Sequence, residues 1–300
     1  MTITAQEIES QPRVWREALG LVPHATQLLR RPGERVLAVG CGTSAFVALA
    51  FAALREAAGL GVTDWAYASE PRAPRPYDAV LGISRSGDTT EVLDALRAVP
   101  DGVRRIVVTG VADSRCARLA DEVLLLDFAD ERSVVQTRFP TSFLLLARAA
   151  FGEDVSGLPA AVEAALASPP AVLDPTAFDH FVYLGRGWTN GLAMEAALKI
   201  REAAQAWAEN YPLLDYRHGP MAVAHPGSLV WLLGADDPGL VAQLTTTTGA
   251  TVVSGLAADP LVELALAQQL AVGVALTRGL DPDRPRYLTR AVVLDGPALR

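Results

Sequence analysis

The chain has 300 residues, half of them hydrophobic and a fifth charged, enough for two modest α/β units with a substantial core. A formal charge of −8 and the lack of any Lys/Arg block exclude non-specific nucleic-acid binding, so an anionic ligand must be held by backbone dipoles and hydroxyls. Cys41 and Cys116 form no CxxC and have no histidine beside them, which argues against a disulfide framework or a zinc site; neither a metal nor a cofactor is expected. The start, "MTITAQEIESQ", is polar, with no secretory signal, and apolar runs such as "TSFLLLARAAFG" stop well short of a membrane span. A cytoplasmic protein without nucleic-acid or membrane partners is expected.

In chain order, strand and helix patterns alternate. "RVLAVG" is a short apolar run before glycine, and the helical "SAFVALAFAALREAAG" follows it. "DAVLGIS" and "RRIVVTG" repeat the pattern, and "EVLLLDF" closes a first unit. Such alternation predicts a parallel sheet with helices on both faces, a three-layer α/β/α arrangement. The Pro/Ala-rich "SGLPAAVEAALASPPAVLDPTAFD" then separates two halves. A boundary within it, near Pro169–Pro170, divides the chain into units 1–165 and 166–300. The second half starts over: "FVYLGRGWTNGLAMEAALKIREAA" lies against "VLAVGCGTSAFVALAFAALREAA", with strand, Gly-x-Gly turn, hydroxyl and long helix in the same order. An internal duplication is expected, although shared helix-forming residues alone give some of the match. "SLVWLLG", "ATVVSGL" and "AVVLDG" are the further strands expected, with a helix over "LVELALAQQLAVGVALTRG" between the last two.

Three stretches carry chemistry. Gly40-Cys41-Gly42-Thr43-Ser44 sits where strand becomes helix, which suits an anion at a helix N-terminus and equally a plain turn with its cap. A dinucleotide fingerprint would need a third glycine, which is missing. "SRSGDTTE", Ser84 to Glu91, groups Ser84, Ser86, Thr89 and Thr90 around one glycine, enough donors for a phosphomonoester without Lys or Arg; a hydroxyl-rich cap is its simpler reading. Glu195, Lys199 and Glu202 stand at i, i+4 and i+7 on one helix face. A surface ion-pair ladder is the ordinary fate of that spacing. Yet Lys199 is the only lysine in a chain that uses arginine everywhere else. His218 lies in the loop "RHGP", where a histidine is often merely structural or exposed. His24, His180 and His225 have no informative neighbours.

Together these pieces resemble the tandem sugar-isomerase (SIS) domain family, in particular the isomerase half of glucosamine-6-phosphate synthase and the hexosamine-6-phosphate deaminase/isomerases. "EIESQPRVWREAL" is similar to the family's N-terminal helix, "GCGTS" and "SRSGDTTE" to its phosphate loops, and "ERSVVQTRFPTS" to a sugar-contacting loop. "AMEAALKIREAAQAWAENYPLLDYRHGPMAV" resembles its catalytic segment and "DPDRPRYLTRAVVL" its tail. The resemblance implies two SIS-type units. It implies that Thr43, Ser44, Ser84, Ser86 and Thr89, with backbone N–H groups around Arg85, hold a sugar 6-phosphate. Gly42, Val134, Gln136 and Arg290 are implied as further substrate contacts. It makes Glu202 the carboxylate that moves a proton between C1 and C2, and Glu195 and Lys199 the groups that position the open-chain sugar and tune it. His218 is implied to open the ring from a neighbouring subunit, hence a homodimer.

Two departures narrow the implied activity. The synthase's N-terminal glutaminase cysteine has no counterpart, Thr2 standing in that place, so glutamine is not expected as nitrogen donor. The tail lysine that forms an imine with ketose in the synthase is Arg290, which cannot form one. Deamination needs no enzyme imine, because the amino sugar brings its own nitrogen. The expected activity is therefore release of ammonia or amine from a glucosamine-, galactosamine- or fructosamine-type 6-phosphate, with isomerisation. The alternatives are a simple aldose–ketose phosphate isomerase and a non-catalytic sugar-phosphate sensor.

Overall fold

The computed structural model describes residues 1–70 and 75–294. Three helices open the chain: α1 (Ile3–Glu9), α2 (Gln11–Leu19) and α3 (Val22–Leu29). The single helix expected over "EIESQPRVWREAL" is broken at Ser10. Pro12 has no N–H to donate back to the preceding turn, and the Gln11 side chain takes the Ile8 carbonyl instead, at 3.3 Å.

The first sheet follows, with β1 (Val36–Gly40), α4 (Thr43–Ala57), β2 (Thr63–Tyr67), β3 (Ala79–Ile83), α5 (Thr90–Arg97), β4 (Arg104–Thr109), α6 (Arg115–Leu119) and β5 (Glu122–Leu125). Helices α7 (Arg138–Ala150) and α8 (Leu158–Ala167) lead to the second sheet. That sheet is built from β6 (His180–Gly185), α9 (Thr189–Ala204), β7 (Trp207–Pro212), β8 (Ser228–Leu232), α10 (Pro238–Thr248) and β9 (Thr251–Ser254), and α11 (Pro260–Thr277) covers it. Every ladder is parallel. The strand orders are β2-β1-β3-β4-β5 and β7-β6-β8-β9, the same winding twice, with one strand fewer in the second among the described residues.

The missing strand is a correction. "AVVLDG" is not a strand over its described part, 291–294; the rest lies outside the described residues. The tail instead runs along the start of α5, where the Val292 carbonyl accepts from Thr90 N at 3.2 Å and Leu294 N donates to Thr90 Oγ1 at 2.9 Å. β2 and β7 were not anticipated. Both are edge strands with polar residues ("TDWAY", "WAENYP"), so neither shows the apolar run of a strand buried on both faces.

One apolar core lies between the sheets, with Trp15, Phe51, Phe143, Phe181, Tyr183 and Trp231 fully buried. Each such side chain contributes about 2–3 kcal/mol by leaving water. α11, of mean hydropathy 1.4, is long and apolar enough to cross a membrane by length and composition, yet 72% of it is buried here against α9, α8 and α1.

α4 and α9 cross at the centre and run antiparallel. Gly191, early in α9, meets the α4 backbone at Phe46 and Ala50, and any Cβ there would lie 2.4 Å from the Phe46 carbonyl oxygen. At the other end Leu198 approaches Gly42, and Lys199 reaches Thr43. This places the loop at the C-terminal edge of the first sheet beside the last turns of α9.

Candidate active site

Glycines shape the turn that opens α4. A Cβ on Gly40 would lie 2.5 Å from the Ser44 backbone, and Gly42 has φ +52°. Gly185 repeats the close approach against Thr189 at the start of α9. Thr43 and Ser44 are buried in the first turn of α4, where Ser44 N and Ala45 N donate to the carbonyls of Cys41 at 3.1 Å and Gly42 at 2.9 Å. At Cys41, between the two glycines, burial first, then Glu91, pushes the thiol up to about 12.

The second hydroxyl loop follows β3. Ser84 Oγ accepts from Gly87 N at 3.1 Å and lies 3.3 Å from Thr89 Oγ1, and Ser86 Oγ accepts from Asp88 N at 3.4 Å. Gly87, at φ +67°, leaves no room for a Cβ, which would fall 2.1 Å from Ser114 Oγ. The Arg85 guanidinium turns away from this loop. It is buried and donates to the carbonyls of Glu131 (2.7 Å), Ser133 (2.9 Å) and Arg290 (3.0 Å). Its Nε is buried without a partner.

Lys199 and Glu195 are each 1% exposed, so the surface ladder is excluded. The Lys199 ammonium stands 2.7 Å from Glu202 Oε2 and 3.2 Å from Glu195 Oε1, and donates to Thr43 Oγ1 at 3.1 Å. One hydrogen bond and two ion-pair contacts surround the ammonium, a point-charge site that a planar guanidinium with five donors does not match. Burial by itself lowers the Lys199 pKa, but Glu195 and Glu202 outweigh it and raise it, so the amine stays protonated. Burial lifts the Glu195 carboxyl to about 7 against the pull of Lys199 and Thr43. Glu202 is the member that faces out. Its side chain keeps 19% exposure, and it lines a pocket of about 410 Å³ with Arg201 and the tail residues Arg286, Tyr287 and Leu288.

The other expected contacts divide. Gln136 is half-buried with Oε1 unpaired, and Val134 is half-buried. Arg290 is bound within the protein: it grips both oxygens of Asp130 at 2.6 Å and donates to the Glu131 carbonyl at 3.1 Å. His218 is not brought to Glu202. It is exposed, at the end of the 3-10 turn Asp215–Arg217, beside the N-terminal end of α9. Leu213 N donates to Gly185 O at 2.8 Å, and Asp215 lines a pocket with Gly185 and Asn190. Glu202 lies near the opposite end of that helix, about 20 Å along its axis at 1.5 Å per residue.

Sequence reasoning missed two buried carboxylates. Glu131 accepts from Thr137 N (2.9 and 2.7 Å) and Phe139 N (2.7 Å), fixing the loop that carries Val134 and Gln136 to the start of α7. Glu7 of α1 accepts from Arg132 N (2.6 Å) and Ser133 N (3.2 Å) from the other side. An acidic residue shortly before a helix start was the available signal for Glu131.

Burial, partly offset by Arg85, raises Glu131 to about 7. A carboxyl raised in the folded state gives stability that is complete below its unfolded value, near 4.5, and is lost as pH rises through about 7. Urea unfolding at pH 5 and pH 8 should show a fall of about 3 kcal/mol from this group. Glu131→Gln should remove most of that fall, and an unchanged slope would contradict it.

Residues 28–150 match the model of the SIS domain family. Over nearly the whole chain, two curated relatives are similar. The glutamine–fructose-6-phosphate aminotransferase (isomerizing) of Aeropyrum pernix is 31% identical, over 97% of this chain and 57% of its own length. The same-named protein of Gloeobacter violaceus is 30% identical, over 97% and 58%. The chain thus spans somewhat over half the length of these relatives. Among solved structures, glucosamine-6-phosphate deaminase from Thermotoga maritima superposes with a TM-score of 0.80 at 27% identity, over 98% of this chain and all of that one. Tagatose-6-phosphate ketose/aldose isomerase from Escherichia coli shares the fold, with a TM-score of 0.79 at 22% identity.

Proposed function

We propose that the protein is a phosphosugar isomerase of SIS type that deaminates an amino-sugar 6-phosphate. The observation that carries this reading is the buried Lys199, which ties Thr43 of one hydroxyl loop to Glu202, the half-open carboxylate of α9. A phosphate held by Thr43, Ser44, Ser84, Ser86 and Thr89 would use hydroxyls and backbone N–H groups at two helix starts. The sugar would then extend along the pocket that Glu202 lines.

In an open-chain 2-amino aldose phosphate, of glucosamine or galactosamine type, Glu202 takes the proton from C2 as the C1 carbonyl, taking a proton from the substrate's own ammonium, becomes an enol. It returns the proton to C1, leaving a C1 hydroxymethyl group and a C2 ketimine. Water adds at C2 and ammonia leaves, giving the ketose phosphate. No enzyme amine takes part: Lys199 is protonated and fully paired, and Arg290 is held by Asp130. Within one chain His218 lies at the other end of α9, about 20 Å along its axis and too far to act with Glu202. Ring opening by it therefore requires a second copy, and the functional unit in this reading is a homodimer. The similarity to the Thermotoga maritima deaminase, nearly end to end, supports the reaction class. In the same reading 1–165 and 166–300 are two SIS-type units, supported by the repeated strand order and the paired glycine turns.

The test is ammonia release from glucosamine, galactosamine and fructosamine 6-phosphates, each followed beside aldose–ketose interconversion. Ammonia from one of them establishes the reaction and its substrate. Interconversion without ammonia makes the protein a simple isomerase, and silence in both assays with retained binding makes it a sensor.

A further inference from the structure

The second sheet carries a pocket of about 440 Å³ that this chemistry does not use. It lies at the N-terminal edge, on the face turned away from α9. His180 and Trp207 are register partners in adjacent strands, so both side chains stand on one face, with Glu209 two residues further along. Val223 and His225, from the segment before β8, and Asp179 complete the lining. No residue is shared with the pocket at Glu202.

His180 is 5% exposed, and its Nδ1 is engaged with Ser228 Oγ at 2.8 Å. Its Nε2 is buried without a hydrogen-bond partner and stands 3.8 Å from Glu209 Oε2, too far for a bond between them. Glu209 is held still, accepting from Trp207 Nε1 at 2.9 Å and Tyr211 Oη at 3.1 Å. The first of these bonds also fixes the indole, yet Trp207 remains 70% exposed. The His225 ring stacks on His180 at 5.8 Å and 14°, its Nε2 3.6 Å from Asp179, so the two imidazoles lie side by side rather than converging on a point. Among the described residues no Lys or Arg lines the pocket.

We propose that this pocket binds a sugar ring that carries no phosphate, with an aminated ring preferred. A group that bridges Nε2 and Glu209 from beside them must satisfy both. Ser228 Oγ already accepts from His225 N at 3.0 Å, so its own proton goes to His180 Nδ1 and leaves Nε2 as the N–H; a hydroxyl then accepts from Nε2 and donates to Glu209. The Trp207 indole offers a fixed flat surface for the C–H face of a pyranose. Glu209 and Asp179 favour an ammonium substituent and repel a phosphate.

The test follows the indole N–H resonance of Trp207, assigned with Trp207→Phe, while glucose, glucosamine and glucosamine 6-phosphate are titrated into the Glu202→Gln protein. Glucosamine should shift this resonance saturably and glucose more weakly, while the phosphate ester leaves it in place. Glu209→Gln should weaken the glucosamine effect about tenfold or more. Val223→Trp, a change at a 56% exposed position that fills the pocket, should abolish it. No shift with either free sugar overturns the proposal, as does an equal shift with the phosphate ester or a shift that survives both variants. The readout needs no turnover, so its failure is separate from a failure of the deaminase reading.

Discussion

Glu202→Gln should lower kcat/KM by about 10³-fold while sugar-phosphate affinity changes by no more than a few-fold. Glutamine keeps the shape and one oxygen for Lys199 but cannot take a proton from carbon. The groups proposed to hold phosphate lie on α4 and the 84–89 loop, so the substitution leaves them in place. Lys199 keeps Glu195 as its counter-charge, so folding should survive. Initial rates on the substrate found by the ammonia assay, beside equilibrium binding of the same sugar phosphate, give both numbers. A variant that retains more than a tenth of wild-type turnover would remove Glu202 from the proposed role.

The largest effect on folding is expected from Lys199→Met. The substitution leaves Glu195, 1% exposed, and Glu202 facing each other without a cation. Removing one partner of a buried pair costs about 3–5 kcal/mol, because the remaining charge has neither water nor a counter-ion. For a chain of this size the melting temperature should fall on the order of 10 °C. Lys199→Arg should recover only part of the loss, since a guanidinium must fit where three oxygens surround a point charge. Adding Glu195→Gln to Lys199→Met separates charge from packing. Recovery of several degrees in the double variant marks the uncompensated carboxylate as the cause, whereas no recovery marks lost packing.

Much of this arrangement was legible in the chain. The apolar runs ending in glycine gave β1, β3, β4, β6 and β8, because strands buried on both faces carry their signal in every residue. The spacing of Glu195, Lys199 and Glu202 placed them on one face, and the lone lysine argued against a surface ladder. What buries that face could not be read locally. It depends on the antiparallel approach of α4, which Gly191 permits, and a single glycine inside a helix does not announce its neighbour.

Arg85 shows the opposite failure. An arginine among serines in a phosphate-like loop invites an anion, yet its side chain leaves the loop to bind three carbonyls more than forty residues away in sequence. Glu7 and Arg290 are similar: each is fixed by partners distant in the chain, and neither has a periodic signature. Asp283 belongs to the same network, accepting from Ile3 N at 2.7 Å and Thr4 N at 2.8 Å, so the start and the tail of the chain close on one loop.

In the proposed reaction the site is completed by two copies, with Glu202 from one and His218 from the other. Co-expression of Glu202→Gln with His218→Asn, each inactive alone, tests this most directly. Random pairing makes half the dimers mixed, and each mixed dimer has one site with both native residues, so about a quarter of wild-type activity should return. If the purified mixed dimer stays as inactive as either parent, the shared site is contradicted, and the ring-opening group must lie in the same chain as Glu202.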